Sequence, residues 1–123
     1  MKTPSFIQIG AVNMLLAVAC GAFGAHALKA RLSPAMLNVW QTAVSYQMAH
    51  ALGMLLIGLL ILQLPARSGQ LQRAGFTMLL GIVLFCGSLY TLALTDLRWL
   101  GAVTPIGGIL FLLAWFLLAK CKT

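Results

Sequence analysis

The chain has 123 residues, 62% of them apolar and only 7% charged, against the roughly one-quarter charged residues of a soluble domain. Water would not dissolve such a surface, and this length holds four membrane helices with short connections and no room for a separate catalytic domain. The net charge of +7 does not imply a nucleic-acid partner, because the basic residues stand in ones and twos rather than in a stripe.

All nine charged side chains, Lys2, Lys29, Arg31, Arg67, Arg73, Asp96, Arg98, Lys120 and Lys122, sit at the seams of uncharged runs of 26, 35, 22 and 21 residues. A helix needs about 20 apolar residues to cross a hydrocarbon core. Each run can therefore span a bilayer, which predicts an all-α integral membrane four-helix bundle with residues 1–123 as a single domain. Four crossings place Lys2, Arg67, Arg73, Lys120 and Lys122 on one side and Lys29, Arg31 and Arg98 on the other. The larger basic group marks the cytoplasmic side, so both termini are expected in the cytoplasm.

The first helix is predicted from about Ser5 to Leu28. Gly10, Asn13, Ala17, Gly21 and Gly24 fall in one narrow sector of it, a seam for close backbone approach to which Asn13 adds an interhelical hydrogen bond. Lys2 and the apolar run up to Cys20 bear a loose likeness to a lipoprotein signal, but the apolar run continues past Cys20 to Leu28, so a retained crossing is expected. Cys20, Cys86 and Cys121 have no paired or metal-finger spacing and imply no disulfide framework.

The second run begins with a helix start, Ser33 as cap and Pro34 in the first turn where its missing N–H costs nothing. Asn38, Gln41, Thr42 and Ser45 then share one face, opposite Met36, Leu37, Trp40, Val44 and Met48. This predicts a short amphipathic segment before the second transmembrane helix, either lying at the interface or continuing obliquely into the crossing, with Trp40 at headgroup level. The crossing proper is expected over about Val44 to Leu64, and Pro65 with Arg67-Ser68-Gly69-Gln70 marks a turn.

Helix three is predicted over about Gln72 to Leu94. Thr77, Ser88, Thr91 and Thr95 share a face, able to bond neighbouring helices or the helix's own carbonyls. In helix four, Thr104-Pro105 either starts the helix or kinks one begun earlier. A start at Pro105 would leave free N–H groups at Gly107-Gly108 within the membrane.

This arrangement gathers His26, Tyr46, Gln47, His50, Tyr90, Thr91, Asp96, Arg98 and Thr104 in the half facing away from the cytoplasm, as a candidate polar pocket for a small ligand, a lipid headgroup or a partner helix. His50 leads the set, because an ionisable group within a span is a functional hypothesis by default. It lies about six residues into the expected crossing, on one face with Tyr46 and Gly53. Its functional reading is proton relay, metal ligation or a hold on an anionic or quinone-like ligand; its structural reading is a neutral imidazole bonding a helix-three hydroxyl. A haem held by His26 and His50 fits poorly, since His26 lies about 150° from the centre of the small-residue face. Asp96 and Arg98 are expected to pair loosely at the surface; a sharper reading makes Asp96 a proton acceptor near His50.

No nucleophile with base and orienting group, no paired carboxylates and no phosphate loop occur. The expectation is a non-enzymatic protein with no cofactor and no metal. Its partners are expected to be membrane lipids and either a second copy or another membrane protein. The alternative is a small oligomeric transporter or proton-coupled permeation unit, which requires a polar track towards the cytoplasm that Asn13 and Thr77 alone do not supply.

The motifs Gly21-Ala22-Phe23-Gly24-Ala25-His26-Ala27-Leu28, Trp40-Gln41-Thr42-Ala43 with Tyr46-Gln47 and His50-Ala51-Leu52, Gly87-Ser88-Leu89-Tyr90, and Thr104-Pro105-Ile106-Gly107-Gly108 occur in that order. With them the chain resembles the YgdD/YwdK family of small bacterial inner-membrane proteins, defined by domain of unknown function 423. The resemblance runs from helix one to Trp115. It implies a four-helix inner-membrane protein with no assigned activity, and transfers no catalytic or binding residues.

Overall fold

A computed structural model describes residues 5–122; Lys2, counted above among the charges of one face, lies outside them. Four helices are each long and apolar enough to cross a membrane: α1 (Phe6–Leu28), α2 (Pro34–Gln63), α3 (Pro65–Thr95) and α4 (Arg98–Ala119). Short connections make successive helices antiparallel. One end of the bundle, the termini face, carries the start of α1, the α2–α3 turn and the end of α4. The opposite face carries the α1–α2 and α3–α4 connections.

Each boundary has a local cause. Ser5 caps α1, its hydroxyl accepting from the Gln8 N–H. Ser33 caps α2 in the same way through Met36, and Pro34 takes the first turn. A single turn of 3-10 helix at Pro65–Arg67 opens α3, reversing the chain after α2. The end of α3 is set by Asp96, which turns left-handed with φ 57° while its N–H donates to the Leu92 carbonyl. An L-residue adopts that conformation at some cost, and Asp tolerates it better than most.

The amphipathic stretch is the first third of one unbroken helix, so of the two arrangements its pattern permits, α2 has the continuous one. At 30 residues α2 is about 45 Å long, well beyond a hydrocarbon core of about 30 Å. Asn38, Gln41, Thr42 and Ser45 point outward from the surplus end, while Trp40 and Val44 are buried and Met36, Leu37 and Met48 half-buried. Trp40 faces into the bundle. It is 4% exposed, and its indole N–H donates to the Cys20 carbonyl of α1 at 2.9 Å while its ring meets Tyr90 of α3 edge-on. A buried indole needs an acceptor, and α1 supplies one at Cys20.

The two central helices, α2 and α3, form the core with Met54, Ile57, Leu71 and Met78, which Phe6 of α1 joins. Along α1 the small-residue sector is the face turned to α2: Gly10, Ala17 and Gly24 are buried, Asn13 and Gly21 half-buried. The approach at Gly10 is close enough that a Cβ there would lie 2.8 Å from the Ala51 carbonyl oxygen. Lipid tails are as apolar as leucine, so this proximity of backbones, with its dispersion gain, is what holds α1 in place.

Candidate functional site

The polar residues expected to form one pocket divide into separate groups. Gln47 is 6% exposed and joins three helices. Tyr90 of α3 donates to the Gln47 side-chain oxygen at 2.7 Å, the Gln47 amide donates to the Asn13 side-chain oxygen of α1 at 3.2 Å, and the Asn13 amide donates to the Ile9 carbonyl at 2.9 Å. Each donor in this chain ends on an acceptor. Among the described residues no buried side-chain nitrogen or oxygen lacks a hydrogen-bond partner, as hydrocarbon surroundings demand.

Thr104 belongs to a second group. Its hydroxyl and that of Ser88 lie 2.7 Å apart, tying α4 to α3, and Ser88 also donates to the Phe85 carbonyl. The reason lies in α3 itself, whose residues Ile82–Cys86 form a wide turn of π-helix. Such a turn loosens the regular i to i−4 ladder, and Ser88 takes up the carbonyl of Phe85. Thr77, Thr91 and Thr95 instead donate to carbonyls of their own helix.

The remaining predicted residues stand apart. His26, Thr91, Asp96 and Arg98 are exposed towards the opposite face. Asp96 and Arg98 form a loose surface pair at 3.6 Å, with side chains 62% and 82% exposed. His26 does not meet His50, and Asp96 is not its proton acceptor. The end of α3 stays extended along its own axis instead of folding over α2, and the wheel position of His26 carries it outward. Among the described residues no three metal-ligating side chains come together.

His50 is the centre of the third group. With α2 beginning at Pro34, it lies sixteen residues along the helix and six beyond Val44, where the crossing proper is expected to begin. Its Nδ1 is 2.7 Å from the Tyr46 carbonyl, and its Nε2 is 3.0 Å from the indole nitrogen of Trp115 on α4. A carbonyl only accepts and an indole only donates. The ring is therefore a neutral imidazole in one tautomer, protonated on Nδ1. The expected helix-three hydroxyl is replaced by a helix-four indole, because Gly53 one turn on leaves room above Met78 for the end of the Trp115 ring.

Phe111 stacks on His50 with centroids 3.6 Å apart and planes 12° apart, and Tyr46 lies nearly parallel to both, 7° from His50 and 14° from Phe111. These rings wall a cleft of about 480 Å³ between α2 and α4, with Phe85 of the wide turn also lining it and Pro105, Gly108, Ile109 and Leu112 along its α4 side. Tyr46 and Trp115, 44% and 40% exposed, stand at its mouth, while His50 is 6% exposed. Volumes of about 300–1,000 Å³ suit small ligands.

Helix four is placed by its start. A 3-10 lead-in over Arg98–Ala102 precedes the α-helical Thr104–Ala119, which gives the span its length and keeps Pro105 in the first turn. Val103 donates to Leu100, and both Ile106 and Gly107 donate to Val103. The free N–H groups expected at Gly107-Gly108 are thus absent at Gly107. That glycine serves another end: a Cβ on it would fall onto the Phe85 backbone, 2.7 Å from its Cα. Trp115, Phe111 and Phe85 were not among the residues the sequence singled out. The one available signal was an indole deep in an apolar span, which needs an acceptor that its own helix does not offer.

Four apolar helices joined by short turns, with buried polar groups satisfied by one another, define a multi-pass membrane protein. The family model of the DUF423 proteins of unknown function matches residues 20–108, and the chain belongs to that family. A UPF0382 membrane protein of Staphylococcus epidermidis is 50% identical over 92% of this chain and 90% of its own length. The UPF0382 membrane protein YwdK of Bacillus subtilis is 47% identical over 92% and 91%, and a relative in Staphylococcus saprophyticus is 49% identical over 92% of each. No solved structure matches the chain.

Proposed function

We propose that this is a non-enzymatic protein of the bacterial inner membrane, with both termini in the cytoplasm, that binds a small lipophilic molecule in the cleft beside His50. The observation that carries the reading is the placement of an imidazole, fixed in one tautomer, on the wall of a cleft between two membrane-spanning helices. An ionisable side chain within a membrane span is costly to keep. The termini face carries Arg67, Arg73, Lys120 and Lys122 against Lys29, Arg31 and Arg98 opposite, which supports the orientation. Transport would need a polar track through the bundle, and Asn13, Gln47 and Tyr90 spend their hydrogen bonds on one another.

Mass spectrometry of the protein extracted with its own lipids tests the reading. One small molecule retained per chain, and lost from a folded His50→Leu variant, is the expected result. Wild-type and variant proteins carrying the same unselective lipid annulus would overturn it.

A further inference from the structure

Resting on the reading of this cleft as a binding site, its geometry also narrows what it takes. Trp115 and His50 hold each other as donor and acceptor, 3.0 Å apart. The two differ in freedom: His50 is buried and anchored to the Tyr46 carbonyl, whereas Trp115 stands partly exposed at the mouth. Movement of the indole alone opens the pair, leaving one bare donor and one bare acceptor side by side in an apolar cleft. A ketone oxygen would satisfy only the indole and an ammonium only the imidazole; a hydroxyl satisfies both, accepting from Trp115 and donating to His50 Nε2.

The walls add a shape. Tyr46, His50 and Phe111 present three rings within 14° of parallel, an arrangement that continues naturally onto a flat ring with offset stacking. The cleft lies between two membrane-spanning helices, with Tyr46 and Trp115 at its mouth, so the occupant arrives dissolved in the bilayer and leaves its tail there. We propose that the cleft binds the ring of a membrane-dissolved quinol, stacked along Tyr46 and Phe111 with one hydroxyl inserted between the Trp115 N–H and His50 Nε2. The oxidised quinone lacks the donor that His50 requires and binds more weakly.

The test uses the full chain in nanodiscs of one synthetic phospholipid, titrated with a short-tailed benzoquinol, its quinone and decanol, and followed by tryptophan fluorescence and thermal stability. Quinol is expected to saturate at one per chain, about tenfold tighter than quinone, with decanol giving only a linear partitioning response. Trp115→Phe should remove most of the fluorescence change. Gly108→Leu should abolish binding by filling the cleft; a Cβ at Gly108 meets nothing closer than the Phe85 ring at 3.9 Å, and the thermal unfolding of the unliganded variant checks that it is folded. Saturable decanol binding that Gly108→Leu removes, with no preference for quinol, would overturn the ring assignment and leave the cleft as a binding site. No saturable binding of any of the three would overturn both.

Discussion

The Trp115 indole N–H donates to His50 Nε2 at 3.0 Å, joining two residues 65 positions apart in the chain and fixing how α4 sits on α2. Neither side chain has a second partner of that kind within its own helix for these atoms, so the bond defines the rotation of both helices about their axes.

The pair can be weighed by a double-mutant cycle. His50→Leu leaves the indole N–H without an acceptor in apolar surroundings and is expected to destabilise by about 1–3 kcal/mol while the protein still inserts. Adding Trp115→Phe removes the stranded donor, so the double variant should lose less than the sum of the singles, by about 1–2 kcal/mol. Thermal unfolding in a single detergent gives all four values; strict additivity would mean that the bond contributes nothing. Wholesale aggregation of His50→Leu would show that the imidazole serves mainly as packing.

Two neighbouring glycines should respond in opposite directions. Gly107→Ala drives a methyl group into the Phe85 backbone and should cost about 1–3 kcal/mol as α3 and α4 separate. Gly108→Ala meets open cleft and should be neutral or stabilising by up to about 1 kcal/mol, through the better helix propensity of alanine. Equal effects at the two sites would contradict the crossing geometry.

The three-helix polar chain predicts a graded series. Tyr90→Phe leaves only the Gln47 oxygen without its donor, at about 0.6–2 kcal/mol. Gln47→Leu strands the Tyr90 hydroxyl and the Asn13 oxygen together and should cost roughly twice as much. Protease sensitivity of the α1–α2 connection is a second measurement, expected to rise most in Gln47→Leu, since of the two variants only that one removes the bond between α1 and α2.

Orientation is accessible through cysteine chemistry. Cys121 is half-exposed on the termini face, and Lys29 is exposed on the other. In intact cells a membrane-impermeant maleimide should label Lys29→Cys and leave Cys121 unlabelled until the membrane is broken. The reverse pattern would place the termini outside.

The number of crossings, their approximate limits, the seam along α1 and the cap at Ser33-Pro34 were all legible in the amino-acid order. Charges are too costly to bury in hydrocarbon, and a helix must satisfy its own backbone there, so the spacing of Lys, Arg and Asp alone delimits the spans. Helical periodicity likewise showed that Asn13 shares a face with Gly10 and Ala17, and that His26 points away from it. Tertiary structure decided what faces what. Trp40 met the Cys20 carbonyl, Gln47 met Asn13 and Tyr90, and His50 met Trp115 and Phe111. Periodicity fixes the angle of a side chain on its own helix but not the rotation and vertical register of one helix against another. In lipid no hydrophobic gradient between helices sets these; close packing at residues such as Gly10 and Gly107, together with a few interhelical hydrogen bonds, does.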